Sequence, residues 1–124
     1  MRDRQAELET ALQEKRQAYR QALAAALDDI VARLAKHGAV ERAILFGSYA
    51  RGRSDLFTDL DLVIIMDSDE PFVTRTARMY AYLTPQVDVD LLVYTPAEFE
   101  AQRTRRFFRH ALQEGTVIYE KQRA

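Results

Sequence analysis

The strongest constraint on how this chain can fold is a distance along it. The apolar run VERAILF ends at Gly47, and the next run, LDLVIIM, begins about a dozen residues later. That interval holds one helical turn, SYARGR, but not the full helix of a parallel crossover, so the two runs are read as antiparallel neighbours. The following interval points the other way. PFVTRTARMYAYL has the length and composition of a helix, so LDLVIIM and QVDVDLLVY are expected to be parallel, joined by a right-handed crossover.

The flanks complete an α-β-α-β-α-β-α-β order. Residues 1–36 hold no Gly or Pro and are rich in helix formers. Tyr19, Leu23, Leu27, Ile30 and Leu34 recur at helical spacing, so a helix over 18–36 is expected to pack on the core, with His37-Gly38 ending it and the glycine available for a left-handed cap. In the third helical segment Phe72, Ala77 and Tyr80 suggest the inward face. TPAEFEAQRTRRFFRHALQEG reads as one helix, opened by Thr95, Pro96 and a Glu98 capping box and closed by Gly115. TVIYE is a short last strand. The fold class is α/β (α+β): a small mixed sheet, helices mainly on one face, and a long N-terminal helix. Residues 1–17 form a helical extension to a domain spanning 18–124. Leu8 and Leu12 would be exposed on that extension, so it is expected to meet a partner or a second copy.

With 124 residues the chain suits one domain with a core that needs no disulfide. It has no cysteine, which excludes thiolate metal sites, and a net charge of −1, which gives no bulk attraction to nucleic acid or an anionic membrane. The N-terminus lacks the apolar stretch of a signal peptide and no segment suits a membrane span, so the cytoplasm is the expected compartment.

This topology gathers chemistry at one sheet edge. Gly47-Ser48 closes the first strand, Asp59 and Asp61 open the second, and Asp88 and Asp90 open the third. Residues i and i+2 share a strand face, so Asp59, Asp61 and one of Asp88 and Asp90 should converge beside the Gly-Ser turn. Converging carboxylates repel, and a hard divalent cation offsets the cost. Oxygen-only ligands favour Mg²⁺, with Mn²⁺ as the alternative. His37 and His110 are not placed to be ligands. Gly47 lets backbone approach an anion, and Ser48 offers a hydroxyl and a helical turn's N–H groups. Acids and a phosphate cradle at one edge suit two-metal phosphoryl or nucleotidyl transfer.

GSYARGRSDLFTDLDL resembles the signature of the polymerase-beta-like nucleotidyltransferases: Gly-Ser, Ala-Arg-Gly, a spacer, a small hydroxyl residue and Asp-x-Asp-Leu. It falls on Gly47, Ser48, Ala50, Arg51, Gly52, Asp59 and Asp61, with Thr58 where serine is commoner. VDLLVYTPAEFE resembles the segment with the family's third acid, which places that acid on Asp90, and EGTVIYE resembles the family's ending. The short stand-alone form is the minimal nucleotidyltransferase, often the antitoxin paired with a HEPN ribonuclease toxin. The resemblance implies that Asp59, Asp61 and Asp90 bind two Mg²⁺ ions, that Gly47 and Ser48 contact the triphosphate, and that AMP passes from ATP to a hydroxyl, in that branch a tyrosine of the toxin. The alternatives are an antitoxin that acts by binding alone, and transfer to a small molecule or RNA end.

Other features have plainer readings. Asp55 is read as turn-forming or solvated and Arg53 as exposed. Arg51 suits either a phosphate contact or an ion pair with the acids. In RTRRFFRH, Arg105 and His110 mimic the HEPN Arg-x4-His spacing by coincidence, and Phe107 and Phe108 are expected to pack on the sheet.

Overall fold

Four strands form one sheet: β1 (Val40–Phe46), β2 (Leu60–Met66), β3 (Val89–Tyr94) and β4 (Thr116–Glu120), in the spatial order β3-β2-β1-β4. The structure is a computed structural model that describes residues 3–52 and 58–122. The readings of Arg53 and Asp55 fall outside the described residues. β1 and β2 are antiparallel and β2 and β3 parallel, as the two intervals require. β4 lies antiparallel on the outer side of β1.

Helix α1 (Arg4–Lys36) runs unbroken through residues 17 and 18. Its start is fixed by Asp3, whose carboxylate accepts from the N–H groups of Gln5 and Ala6. Its end differs from the expected left-handed glycine cap: His37 leaves the helix in an extended conformation, and Gly38 does not have a positive φ. His37 Nδ1 instead accepts from the N–H of Ala39, turning the chain into β1 without a left-handed residue. Leu23, Ala26, Ile30 and Leu34 are the buried stripe of α1, while residues 3–18 are all exposed.

The two longer helices, α1 and α3 (Phe72–Leu83), cover the sheet face of Leu45, Leu60, Leu62, Ile64, Leu91 and Val93, where the larger core lies. A smaller cluster covers the opposite face: Ile44, Val63 and Ile65 under Phe99 and Phe108. Those two rings come from separate helices, α4 (Pro96–Gln102) and α5 (Arg106–Glu114), not from the single helix expected. The extended backbone of Arg105 (φ −72°, ψ 144°) divides them. The break aims Phe108 into the sheet and leaves Phe107 63 % exposed, so only one of the two phenylalanines packs as expected.

Arg75, Met79 and Leu83 are the buried residues of α3; of the expected inward residues Tyr80 packs on the core and Phe72 lies half-buried against Tyr94, while Ala77 is exposed. Arg75 is buried because every part of its head finds a partner. It donates to the carbonyls of Glu70 (3.2 Å) and Val93 (3.0 Å) and grips both carboxylate oxygens of Glu98. Glu98 also completes the expected capping box with Thr95, so one carboxylate joins α3, β3 and the start of α4. The hydrogen bonds from Arg75 and then from the Thr95 backbone hold the Glu98 carboxyl down at about 2. No helix among the described residues is long and apolar enough to cross a membrane.

Candidate active site

The end of β1 and the starts of β2 and β3 form one sheet edge. Phe46, Asp61 and Asp90 are consecutive partners across these strands, so two carboxylates and the residue before Gly47 stand in a row. Asp59 and Asp61 share the phase of Val63 and Ile65, which places them on the sheet face that α4 and α5 cover further along.

Gly47 meets this row closely. It begins α2 (Gly47–Ala50) with φ +77°, and a Cβ there would stand 2.1 Å from Asp61 Oδ2. Backbone strain and contact both demand glycine at this position. Ser48 follows, half-buried, in the same turn.

Burial, then the charge of Asp90 and the hydrogen bond between the two carboxyls, then Asp59, push the Asp61 carboxyl up to about 6; Arg51 opposes them. The structure therefore brings Asp59, Asp61 and Asp90 together. Between the two candidates for the third acid, Asp90 is the one paired with Asp61 and acting on it. Asp88 lies one step outside β3, where its carbonyl accepts from the N–H of Leu60.

Arg51 pairs with Glu114 and also acts on the acids. Its Nη1 donates to Glu114 Oε2 at 3.0 Å, tying the end of α2 to the end of α5, while its charge still favours ionised Asp61. His110 faces Glu114, and His37 packs edge-on against Tyr82.

Two contacts were not read from the sequence. Tyr19 of α1 donates its hydroxyl to the carbonyl of Thr58 at 2.9 Å, so the long helix holds the peptide unit leading into Asp59. Its position where the apolar stripe of α1 begins is the signal that could have shown it. The other is Glu114, the partner of Arg51, for which the sequence gives no local sign. A hollow of about 440 Å³ lined by Arg42, Ile65, Pro96 and Phe99 lies at the other end of the sheet and includes none of the acids.

The donor set suits a hard divalent cation. It is all oxygen, and the raised Asp61 marks a carboxylate cluster in need of positive charge. Among the described residues no three acidic, His or Cys side chains form a ready-made ion cage. Mg²⁺ suits such an edge, since it is usually held by one or two carboxylates together with phosphate oxygens and water.

The chain is similar to known proteins in sequence and in fold. The family model described as "Polymerase beta, Nucleotidyltransferase" matches residues 28–124. The "Putative protein adenylyltransferase" of Methanocaldococcus jannaschii is 33% identical over 86 residues, 66% of this chain and 81% of that protein. A crystal structure of a "putative nucleotidyltransferase" from Sulfolobus solfataricus shares the fold at TM-score 0.57 and 17% identity, over 82% of this chain and 86% of that one. A toxin–antitoxin structure with AMP-PNP shares it at TM-score 0.51 and 19% identity, over 77% and 74%.

Proposed function

The chain belongs to the polymerase-beta nucleotidyltransferase family, and on that premise we propose that it transfers AMP from ATP to a hydroxyl of a protein, a tyrosine of a HEPN-type toxin that it silences. The observation that carries the reading is the meeting of Asp61 with Gly47 on one side and Asp90 on the other. The protein acceptor is supported by the name of the M. jannaschii relative. The toxin and its tyrosine rest on the resemblance of the motif segment to the minimal nucleotidyltransferases.

Asp59, Asp61 and Asp90 are the residues that would hold Mg²⁺, two ions in the full arrangement. When bound, the metal supplies charge neutralisation on the phosphates and lowers the pKa of the attacking hydroxyl. The chain's own groups do the positioning. Gly47, having no Cβ, lets the triphosphate approach the backbone, and the Ser48 hydroxyl donates to it. Arg51, anchored by Glu114, keeps a positive charge beside Asp61 so that the acid stays ionised at neutral pH. Asp90 is exposed at the same edge. The acceptor oxygen forms a bond to the α-phosphorus, the bond to the β-phosphate oxygen breaks, pyrophosphate leaves, and the acceptor's proton passes to solvent.

The test is co-expression with the protein of the adjacent gene, then incubation with labelled ATP and Mg²⁺. Label is expected on that protein with the unaltered chain, and none with Asp59→Ala or Asp61→Ala. Tight binding and neutralisation without label would make the chain a binding antitoxin instead.

A further inference from the structure

The backbone that carries Glu114 is pinned to β1. Gly115 follows it, and a Cβ there would stand 2.9 Å from both the Ala111 carbonyl oxygen and Ile44 Cγ2, and 3.1 Å from the Leu45 carbonyl oxygen. Without a side chain at that position, the end of α5 lies flush on the strand. Thr116 then pairs with Leu45, so Glu114 stands two residues from a fixed strand pairing.

Arg51 is fixed from the other side. Its N–H donates to the carbonyls of Gly47 (3.3 Å) and Ser48 (3.2 Å), which closes α2. Gly47 in turn lies against Asp61. The guanidinium is thus one helical turn from the acid row, on a side chain long enough to reach it. Its Nη1 instead donates to Glu114 Oε2 at 3.0 Å, and among the described residues it makes no ion pair with Asp59, Asp61 or Asp90. The other carboxylate oxygen, Oε1, faces His110 Nε2 at 3.6 Å. The Arg51 and Glu114 side chains are 44% and 39% exposed, and a pair this open adds little to stability. What it does set is where the guanidinium lies.

We infer that Glu114 is a positioning residue: it holds the Arg51 guanidinium against the end of α5, off the carboxylates of Asp59, Asp61 and Asp90, so that their oxygens stay open to a divalent cation. The inference rests on the proposed metal-dependent transfer and adds to it a residue far outside the motif. Released, Arg51 turns to the edge where three carboxylates gather. A guanidinium matches a carboxylate with two parallel N–H bonds. Those bonds occupy the oxygens that a metal needs, so a neutral side chain at 114 converts Arg51 from a support of the site into a competitor for it.

The experiment measures Mn²⁺ binding to the full chain by electron paramagnetic resonance, with an unreactive ATP analogue present, and the metal dependence of transfer beside it. Glu114→Ala is expected to weaken Mn²⁺ binding by about tenfold or more. Its kcat at saturating metal is expected to stay within about twofold of the unaltered chain. Arg51→Ala/Glu114→Ala is expected to bind Mn²⁺ within about twofold of Arg51→Ala, because a guanidinium that is gone has no position to hold. Glu114→Gln, which keeps the shape and loses the charge, is expected to weaken binding in the same direction. His110→Ala removes only the partner of the other oxygen and is expected to change nothing. Equal Mn²⁺ binding by the unaltered chain and Glu114→Ala overturns the inference. So does the same loss in the Arg51→Ala background, which marks a merely structural role. If thermal unfolding in EDTA shows that Glu114→Ala does not fold, Glu114→Gln decides by the same two comparisons. No Mn²⁺ binding by the unaltered chain refutes the proposed function and the inference with it. Binding without label on the adjacent-gene protein refutes the transfer alone, while the variants still decide the role of Glu114.

Discussion

Asp61→Asn should make the metal-free protein more stable while abolishing transfer. The ordinary carboxyl value is 3.8 and burial beside Asp90 and Asp59 raises Asp61 to about 6. The folded state therefore holds this proton more tightly than the unfolded chain does. Stability from Asp61 is complete below 3.8, falls as pH rises through about 6, and stays lost above it. The interval is worth at most about 3 kcal/mol at 1.36 kcal/mol per pKa unit, and solvent at this half-buried site reduces it to about 1–2 kcal/mol. Asparagine keeps the shape, removes the charge and can donate to Asp90. For a chain of this length the gain corresponds to about 4–8 °C in Tm at pH 7 with EDTA. At pH 4 the gain should shrink toward zero. Mg²⁺ with an unreactive ATP analogue should raise the Tm of the unaltered protein more than that of the variant, since binding only to the folded state stabilises it. Thermal unfolding at both pH values, with and without metal, measures all three. An Asp61→Asn protein that melts with or below the unaltered one at pH 7 in EDTA would refute the claim that this edge carries uncompensated negative charge.

Further outcomes follow from neighbouring contacts. Gly47→Ala combines a left-handed backbone, costing about 1–2 kcal/mol, with a Cβ 2.1 Å from Asp61 Oδ2; transfer should be lost and urea unfolding should shift to lower concentration. Glu98→Ala leaves Arg75, 5% exposed, charged without its carboxylate, and should cost about 2–4 kcal/mol by chemical denaturation. In the unaltered protein the Glu98 contribution is complete above 4.5 and should fade as pH falls toward about 2, which acid titration of the Glu98→Gln difference reads. Tyr19→Phe removes the bond to Thr58; it should cost about 0.5–1.5 kcal/mol and lower kcat with little change in acceptor binding.

The convergence of the acids on one sheet edge was legible in the sequence because it depends on spacing. The short interval after Gly47 forces antiparallel pairing, the helix-length interval after Met66 permits parallel pairing, and period-two alternation puts Asp59 and Asp61 on one face. The residues alone left Asp88 and Asp90 open, since both share a phase. The register sets Asp90, and not Asp88, against Asp61. The break between α4 and α5 was not legible, because residues 103–105 include no Gly or Pro and the chain turns there through the backbone of Arg105. As a result only Phe108 packs on the sheet, and Phe107 is exposed. Arg75 was missed because a guanidinium on an inward helix face is tolerated only with long-range partners, here Glu70, Val93 and Glu98, and local pattern does not reveal them. Arg51 found Glu114, sixty-three residues away, for the same reason.

The most direct test follows two labels on ATP into the adjacent-gene protein. With Mg²⁺ and the unaltered chain, label from the α-phosphate should appear on that protein and label from the γ-phosphate should not, and Asp61→Asn should transfer neither. Transfer of the γ label, or α label that persists in Asp61→Asn, would contradict the assignment of this acid edge to nucleotidyl transfer.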